Sequence, residues 1–154
     1  MSMKQAIDDF LAQRRIGIVG VSRGKNDFSR GLLREMRMQG YDTVPVNPNA
    51  EEIEGLKCFP SVRDINPPVD GVLVMVPGNE VESVVRDCAA AGVTRVWLHG
   101  MGTVTDPGEP VRALCGENGI TLIPGQCPYM FLAETAWIHR LHARIWKWFG
   151  KYPA

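Results

Sequence analysis

Residues 15–25 read RIGIVGVSRGK and are followed by an amphipathic segment, Phe28 to Gln39. The apolar residues up to Gly20 predict a buried strand, and the later segment predicts a helix because its apolar side chains recur at helical spacing. A strand that ends in glycine before a helix brings unpaired backbone N–H groups and the positive end of the helix dipole together. This corner predicts a site for a phosphate-bearing ligand, to which Arg23 and Lys25 add positive charge.

The rest of the chain continues the alternation of strand and helix. Residues 69–76 read VDGVLVMV, a near-continuous apolar run that is typical of a strand covered on both faces. Alternating strands and helices with short loops predict an α/β, doubly wound parallel sheet of about five strands in the order 3-2-1-4-5. The predicted strands are Arg15–Val21, Tyr41–Val46, Val69–Val76, Thr94–His99 and Ile120–Pro124. The predicted helices are Met3–Gln13, Phe28–Gln39, Asn79–Ala91, a helix from Asp106 or Glu109 to Asn118, and an extra C-terminal helix, Glu134–Phe149.

Length and composition limit the class of protein. A chain of 154 residues, 45% hydrophobic and 22% charged, is typical of a single globular domain, which we expect to span residues 1–154. The 17 basic and 17 acidic residues balance, which argues against a broad nucleic-acid-binding surface. No apolar run has the length of a membrane span, and Asp8 and Asp9 interrupt the one candidate leader stretch. We therefore expect a cytoplasmic protein that binds neither nucleic acid nor membrane.

The cysteines indicate free thiols. The chain has four of them, Cys58, Cys88, Cys115 and Cys127, without CxxC spacing. In a reducing compartment such residues are mostly small buried hydrophobes. No metal site is predicted, and the alternative is a zinc site formed by Cys127, His139 and His142.

The glycine pattern disfavours NAD as the ligand. Gly17, Gly20 and Ser22 do not have the spacing of the dinucleotide-binding fingerprint. Asn47 and Pro48 stand where an NAD site has an acidic residue for the ribose hydroxyls, and no arginine for a 2′-phosphate is nearby. The alternative without any ligand is that the glycines only allow close packing of helix and strand.

A set of short motifs between about Ile7 and Leu132 carries a family resemblance. They are IVGVSR (18–23), FSR (28–30), GY (40–41), VPVNPNAEEI (44–53) with Gly55, CFPS (58–61), VD (69–70), VTRVW (93–97) and CP (127–128). With these motifs the sequence resembles small CoA-binding proteins whose fold matches the CoA-binding domain of the succinyl-CoA synthetase alpha subunit. Residues 41–55 are the most specific part of the match, and the glycine turn is the least specific.

The resemblance implies a Rossmann-like domain that binds coenzyme A or an acyl-CoA. It assigns Ser22, Arg23, Gly24 and Lys25 to the pyrophosphate, Asn47 and Pro48 to the nucleotide, and Val76 and Pro77 to the pantetheine or adenine end. The glycine turn and the helix that follows it add Gly20 and Ser29 to the predicted phosphate site. It implies no catalytic residue, because the synthetases use a phosphorylated histidine in a second domain and a partner subunit that binds ATP.

Other functions stay open on the sequence. One is an enzyme, either an NAD(P)-dependent oxidoreductase or a transferase fragment. His99, which follows the fourth strand, is a candidate acid or base. A regulatory nucleotide-sensing protein that signals through the C-terminal helix is another. Cys127 is a candidate for a mixed disulfide with the CoA thiol. The basic, tryptophan-rich C-terminal helix either packs on the core or faces a membrane surface or a partner. A protein partner or a homo-oligomer is compatible with all of these.

Overall fold

The computed structural model describes residues 1–99 and 106–132. Its elements in chain order are α1 (Met3–Leu11), β1 (Arg15–Val19), α2 (Phe28–Met38), β2 (Asp42–Val46), β3 (Glu52–Ile53), β4 (Leu56–Lys57), a 3₁₀ turn (Val62–Asp64), β5 (Gly71–Val74), α3 (Gly78–Ala90), β6 (Arg95–Leu98), α4 (Glu109–Glu117) and β7 (Thr121–Pro124). The predicted C-terminal helix, Glu134–Phe149, lies outside the described residues. Residues 128–132, which lead towards it, are helical.

The five longer strands form one parallel sheet in the order β2-β1-β5-β6-β7. The α/β class and the parallel sheet are therefore confirmed. The order differs from the expected 3-2-1-4-5 in one place, because the third long strand, β5, pairs with β1 and does not lie outside β2. The segment after β2 forms only the β3–β4 hairpin and a 3₁₀ turn, and Phe59 makes a parallel bridge to Val46 at the outer edge of β2. This bridge takes the place of the expected outer strand.

The core lies in two layers, one on each face of the sheet. Successive residues of a strand face opposite sides, so Leu73 and Trp97 pack with α1 and α2, while Val72 and Val96 pack with α3 and α4. The Trp97 side chain is fully buried, and its indole N–H donates to the Gln126 carbonyl at 2.9 Å. Burial on both faces explains why these strands read as continuous apolar runs.

Element positions agree with the sequence prediction to within about two residues at most ends. Residues 53–56 form the centre of a short hairpin, β3–β4, which the sequence analysis did not predict. The 3₁₀ turn that follows is capped by Ser61. Within residues 1–99 and 106–132, no helix combines the length and the apolar character needed to cross a bilayer.

Candidate ligand-binding site

Two adjoining depressions lie at the carboxyl ends of β1, β2 and β5. The larger, about 410 Å³, extends towards α3, and the smaller, about 270 Å³, extends towards the start of α2. Both are lined by Gly20, Ser22, Met75, Val76 and Pro77, so the two share one wall. A parallel α/β sheet binds its ligands outside the carboxyl ends of its strands, at the point where the strand order reverses. The depressions occupy that place, and an elongated ligand that filled both would cross Gly20.

Gly20 is required by the backbone around it. It has a φ of +91°, and a Cβ at this position would lie 2.2 Å from the carbonyl oxygen of Met75. Its N–H donates to the Val46 carbonyl at 3.2 Å. Sequence analysis assigned this glycine to the approach of a phosphate, and the structure adds a second reason, the close approach of the residue that follows β5.

The β1–α2 loop, residues 20–27, is held in a compact turn by its own serines. The N–H of Ser22 donates to Ser29 Oγ at 2.8 Å, and the N–H of Gly24 donates to Ser22 Oγ at 3.0 Å. Arg23 and Lys25 are exposed, and within the described part of the chain neither side chain forms an ion pair. Their backbone N–H groups also have no acceptor among those residues. Two cationic side chains and two N–H donors are therefore available to an anion.

The N-terminus of α2 already holds a carboxylate. Asp27 is the N-cap and accepts from the N–H of Ser29 at 2.9 Å and from its hydroxyl at 2.6 Å. These two hydrogen bonds hold the pKa of the Asp27 carboxyl below its usual range. Ser29 is 3% exposed, and both of its donors are used inside the chain. Direct contact between Ser29 and a ligand stays a prediction. The structure does show that Ser29 holds the loop, because its hydroxyl oxygen accepts from the N–H of Ser22.

Asn47 ties the end of β2 to the end of β1. Its amide nitrogen donates to the Val21 carbonyl at 2.9 Å, and its amide oxygen accepts from the N–H of Asn49 at 2.8 Å. An NAD site needs a carboxylate here that is free for the ribose hydroxyls. Both ends of the Asn47 side chain are engaged, and the neighbouring Pro48 is exposed on the rim of the larger depression.

The far wall of the larger depression is polar and was not predicted. Ser61 Oγ donates to Asp87 at 3.3 Å, and Arg63 Nε donates to the same carboxylate at 2.9 Å. Glu80 lines the wall beside them. These residues come from the 3₁₀ turn and from α3, and no local motif joins the two segments. A signal that was present in the sequence is Ser61 before the helical turn, where it caps Arg63.

Three aromatic side chains cluster next to the smaller depression. The Phe28 ring lies 5.3 Å from that of His99 and 5.2 Å from that of Tyr129, measured between ring centroids. Burial lowers the pKa of His99, which favours the uncharged imidazole. An uncharged ring against an aromatic one adds no cation for a phosphate.

All four cysteines are free thiols, and three of them are buried. Cys58, Cys88 and Cys115 are buried free thiols, and Cys127 is free and half-buried. Burial raises the pKa of the three buried thiols, that of Cys88 to about 12. Over residues 1–99 and 106–132, no three His, Cys, Asp or Glu side chains are placed to hold a metal ion. The histidines of the zinc alternative, His139 and His142, lie outside the described residues.

Comparison with known proteins decides the family. A family model described as the CoA binding domain matches residues 14–133. The chain belongs to the CoA binding domain family. The resemblance seen in the sequence motifs is thereby confirmed.

Relatives of this CoA binding domain chain include much longer proteins. The ADP-forming acetate–CoA ligase II of Archaeoglobus fulgidus is 35% identical over 89 residues, which is 55% of this chain and 13% of the ligase. The chain thus spans a small part of the ligases that it matches. A relative of similar size is the uncharacterised Bacillus subtilis protein YneT, 28% identical over 114 residues, with 74% of this chain and 82% of YneT covered.

Solved structures support the CoA binding domain fold. A conserved hypothetical protein of Pyrococcus furiosus aligns with a TM-score of 0.68 and 31% identity over 79% of this chain and 99% of that protein. The dinucleotide-forming acetyl-coenzyme A synthetase 1 of Ca. Korarchaeum cryptofilum aligns with a TM-score of 0.66 and 28% identity, over 75% of this chain and 27% of the synthetase.

Proposed function

We propose that the chain is a single domain that binds coenzyme A or an acyl-CoA without converting it. Membership of the CoA binding domain family supports a CoA ligand. The observation that carries the proposal is the pair of depressions that meet at Gly20 and Ser22. Arg23 and Lys25, which are exposed, follow in the same loop but do not line either depression. CoA is elongated and anionic, and both properties match this arrangement.

In the proposed complex the phosphates lie against the β1–α2 loop. The N–H groups and side chains of Arg23 and Lys25 supply donors to them, and charge-assisted hydrogen bonds of this kind are roughly twice as strong as neutral ones. Gly24 leaves room for a phosphate to approach the backbone. The nearest atom to the position of a Cβ at Gly24 is Ser22 Oγ, at 3.4 Å. The wall that the depressions share, Val76 and Pro77, gives the ligand an apolar surface on both sides.

The purine base belongs in the larger depression in this proposal. Its near wall is formed by Asn47 and Pro48, and its far wall carries the Asp87 carboxylate. A carboxylate only accepts hydrogen bonds, so Asp87 suits the exocyclic amine of adenine. The pantetheine arm then runs across Gly20 into the smaller depression, towards the ring of Phe28.

Titration calorimetry of one preparation with CoA, acetyl-CoA, NAD and NADP tests the ligand. We expect CoA and acetyl-CoA to bind and both dinucleotides to give no binding heat. For NAD the reason is Asn47, whose side chain is engaged where an NAD site needs a free carboxylate. For NADP the reason is that residues 47–57 contain no arginine to hold the 2′-phosphate. Binding of NAD or NADP without binding of CoA would reject the proposal in favour of an oxidoreductase.

The second part of the proposal is the lack of turnover. His99 sits in an aromatic cluster, and the three buried thiols have raised pKa values that disfavour the nucleophilic thiolate. We expect the pure chain to form no CoA thioester from acetate, ATP and CoA, and no NADH from NAD and a reduced substrate. Sustained product formation that His99→Gln removes would contradict this.

A protein partner in the cytoplasm completes the proposal. A Pyrococcus furiosus relative, 28% identical over 67% of this chain, is the alpha subunit of an ADP-forming acetate–CoA ligase. We infer that this chain, too, presents its ligand to another protein. The four free cysteines agree with a reducing compartment.

A further inference from the structure

Arg30, in the first turn of helix α2, forms hydrogen bonds to the backbone of the β1–α2 loop. Its side chain is 7% exposed, and its Nη1 donates to the carbonyls of Ser22 at 3.3 Å and Arg23 at 3.2 Å. Its Nη2 donates to the carboxylate of Glu54, in the turn of the β3–β4 hairpin. A buried guanidinium is tolerated only with a partner charge and satisfied hydrogen bonds. Glu54 supplies that charge.

Arg34, one turn further along α2, repeats the arrangement. Its Nη2 donates to the carbonyl of Lys25 at 3.0 Å, and its Nε donates to the other carboxylate oxygen of Glu54. A third arginine, Arg37, donates to the Glu54 carbonyl at 2.9 Å. The guanidinium groups of Arg30 and Arg34 hold the pKa of Glu54 at about 2, so the carboxylate stays ionised at neutral pH.

These contacts determine which way the loop's N–H groups point. In a trans peptide unit the N–H is directed opposite to the C=O, and no bond of this loop is cis. The carbonyls of Ser22 and Lys25 are turned towards α2, so the N–H groups of Arg23 and Asn26 point away from the helix. The arginines therefore direct the Arg23 N–H, one of the two proposed phosphate donors, and the Asn26 N–H to the outer side of the loop. Neither arginine is itself placed to touch a ligand there.

We propose that Glu54, acting through Arg30 and Arg34, is the positioning residue that keeps the β1–α2 loop in its anion-binding conformation. The inference rests on the proposed function for its ligand, but the ordering of the loop is independent of any ligand. Removing the carboxylate leaves two arginines without their shared partner, and Arg30 is then a buried unpaired charge that is driven towards solvent. The carbonyls that Arg30 holds are released with it.

The test compares Glu54→Gln with Glu52→Gln. Glu52 lies in the same hairpin, is exposed, and forms no ion pair within the described residues, so the control removes one charge without touching the arginines. Residue-resolved hydrogen exchange of the ligand-free protein reports on the loop through the amides of Ser22 and Gly24, which are hydrogen-bonded. The Cys58 amide, bonded to the Glu51 carbonyl, reports on the hairpin.

We expect Glu54→Gln to speed exchange of the two loop amides while the Cys58 amide keeps its protection. The apparent Kd for CoA should rise in proportion to the loss of the ordered loop, so a loop that is ordered in about one molecule in ten gives an about tenfold higher Kd. Glu52→Gln should match the wild type in both measurements.

Unchanged loop exchange in Glu54→Gln overturns the proposal, and so does faster exchange with an unchanged Kd for CoA. If Glu54→Gln also loses protection of the Cys58 amide, a second variant, Arg34→Gln, tests the proposal. This substitution removes the hydrogen bond to the Lys25 carbonyl and leaves the ion pair between Arg30 and Glu54 in place. Faster exchange of Gly24 in that variant supports the proposal, and wild-type exchange overturns it. A wild type that fails to bind CoA rejects the proposed function, while the exchange data still decide whether Glu54 orders the loop.

Discussion

Gly20→Val abolishes CoA binding and lowers the free energy of unfolding by about 3 kcal/mol or more. The backbone at Gly20 has a φ of +91°, which a β-branched residue strongly disfavours. In addition, the new Cβ would overlap the Met75 carbonyl, a backbone group that can move only if the end of β5 moves. Denaturant unfolding measures the loss of stability, and calorimetry with CoA measures the loss of binding.

Gly24→Ala is the matched control for the loss of stability. Gly24 lies in the same loop without a positive φ, and a Cβ there has ordinary contact with Ser22 Oγ alone. We expect its free energy of unfolding to stay within about 0.5 kcal/mol of wild type. If Gly20→Val unfolds at the same denaturant concentration as Gly24→Ala, the close approach between Gly20 and Met75 is not a requirement of the fold.

Arg23→Ala weakens CoA binding about ten- to hundredfold. The change removes one charge-assisted contact to a phosphate, worth roughly 1.5–3 kcal/mol. Because the Arg23 side chain is exposed and forms no ion pair within the described residues, the midpoint of unfolding should not change. Calorimetric titration of CoA gives the affinity, and the loss should be smaller at high salt, where exposed charges are screened.

Arg14→Ala is the control for charge alone. Arg14 is equally exposed but precedes β1, so it lies at the opposite edge of the sheet from the depressions. We expect wild-type affinity for CoA. Equal losses in Arg14→Ala and Arg23→Ala would mean that net charge governs binding, and a loss in Arg14→Ala alone would put the site at the wrong edge of the sheet.

Much of the fold could be predicted from the sequence because its signals are local. The run at Val69–Val76 has no polar interruption beyond Asp70, and this pattern is typical of a strand covered on both faces. The glycine that ends β1 marks the carboxyl edge of the sheet, and with it the place of the depressions. Helix α2 was found for the same reason, since Leu32, Leu33 and Met36 all face the core.

The remainder depends on contacts between segments that are distant in the chain. Glu54 reads as one more acidic residue of a polar turn, and only the folded hairpin brings it to Arg30, 24 residues earlier. Asp87 and Ser61 meet in the same way across 26 residues. The pairing of β5 with β1 joins Ile16 to Gly71, and the Phe59 bridge is a single pairing at the outer edge of β2. Neither contact leaves a periodic pattern in the sequence.

That bridge also has a consequence for self-association. An unpaired outer strand offers a row of backbone groups to any other strand, including one from a second copy of the chain. At the carboxyl end of β2 this row is already used: the N–H of Phe59 donates to the Pro45 carbonyl at 3.1 Å, and the Phe59 carbonyl accepts from Asn47 at 3.0 Å. Pro45 itself has no N–H to offer. Another strand could pair with this end of β2 only after residues 58–59 had been displaced. The loop that continues from these residues into the wall of the larger depression therefore also protects this edge of the sheet from edge-to-edge aggregation.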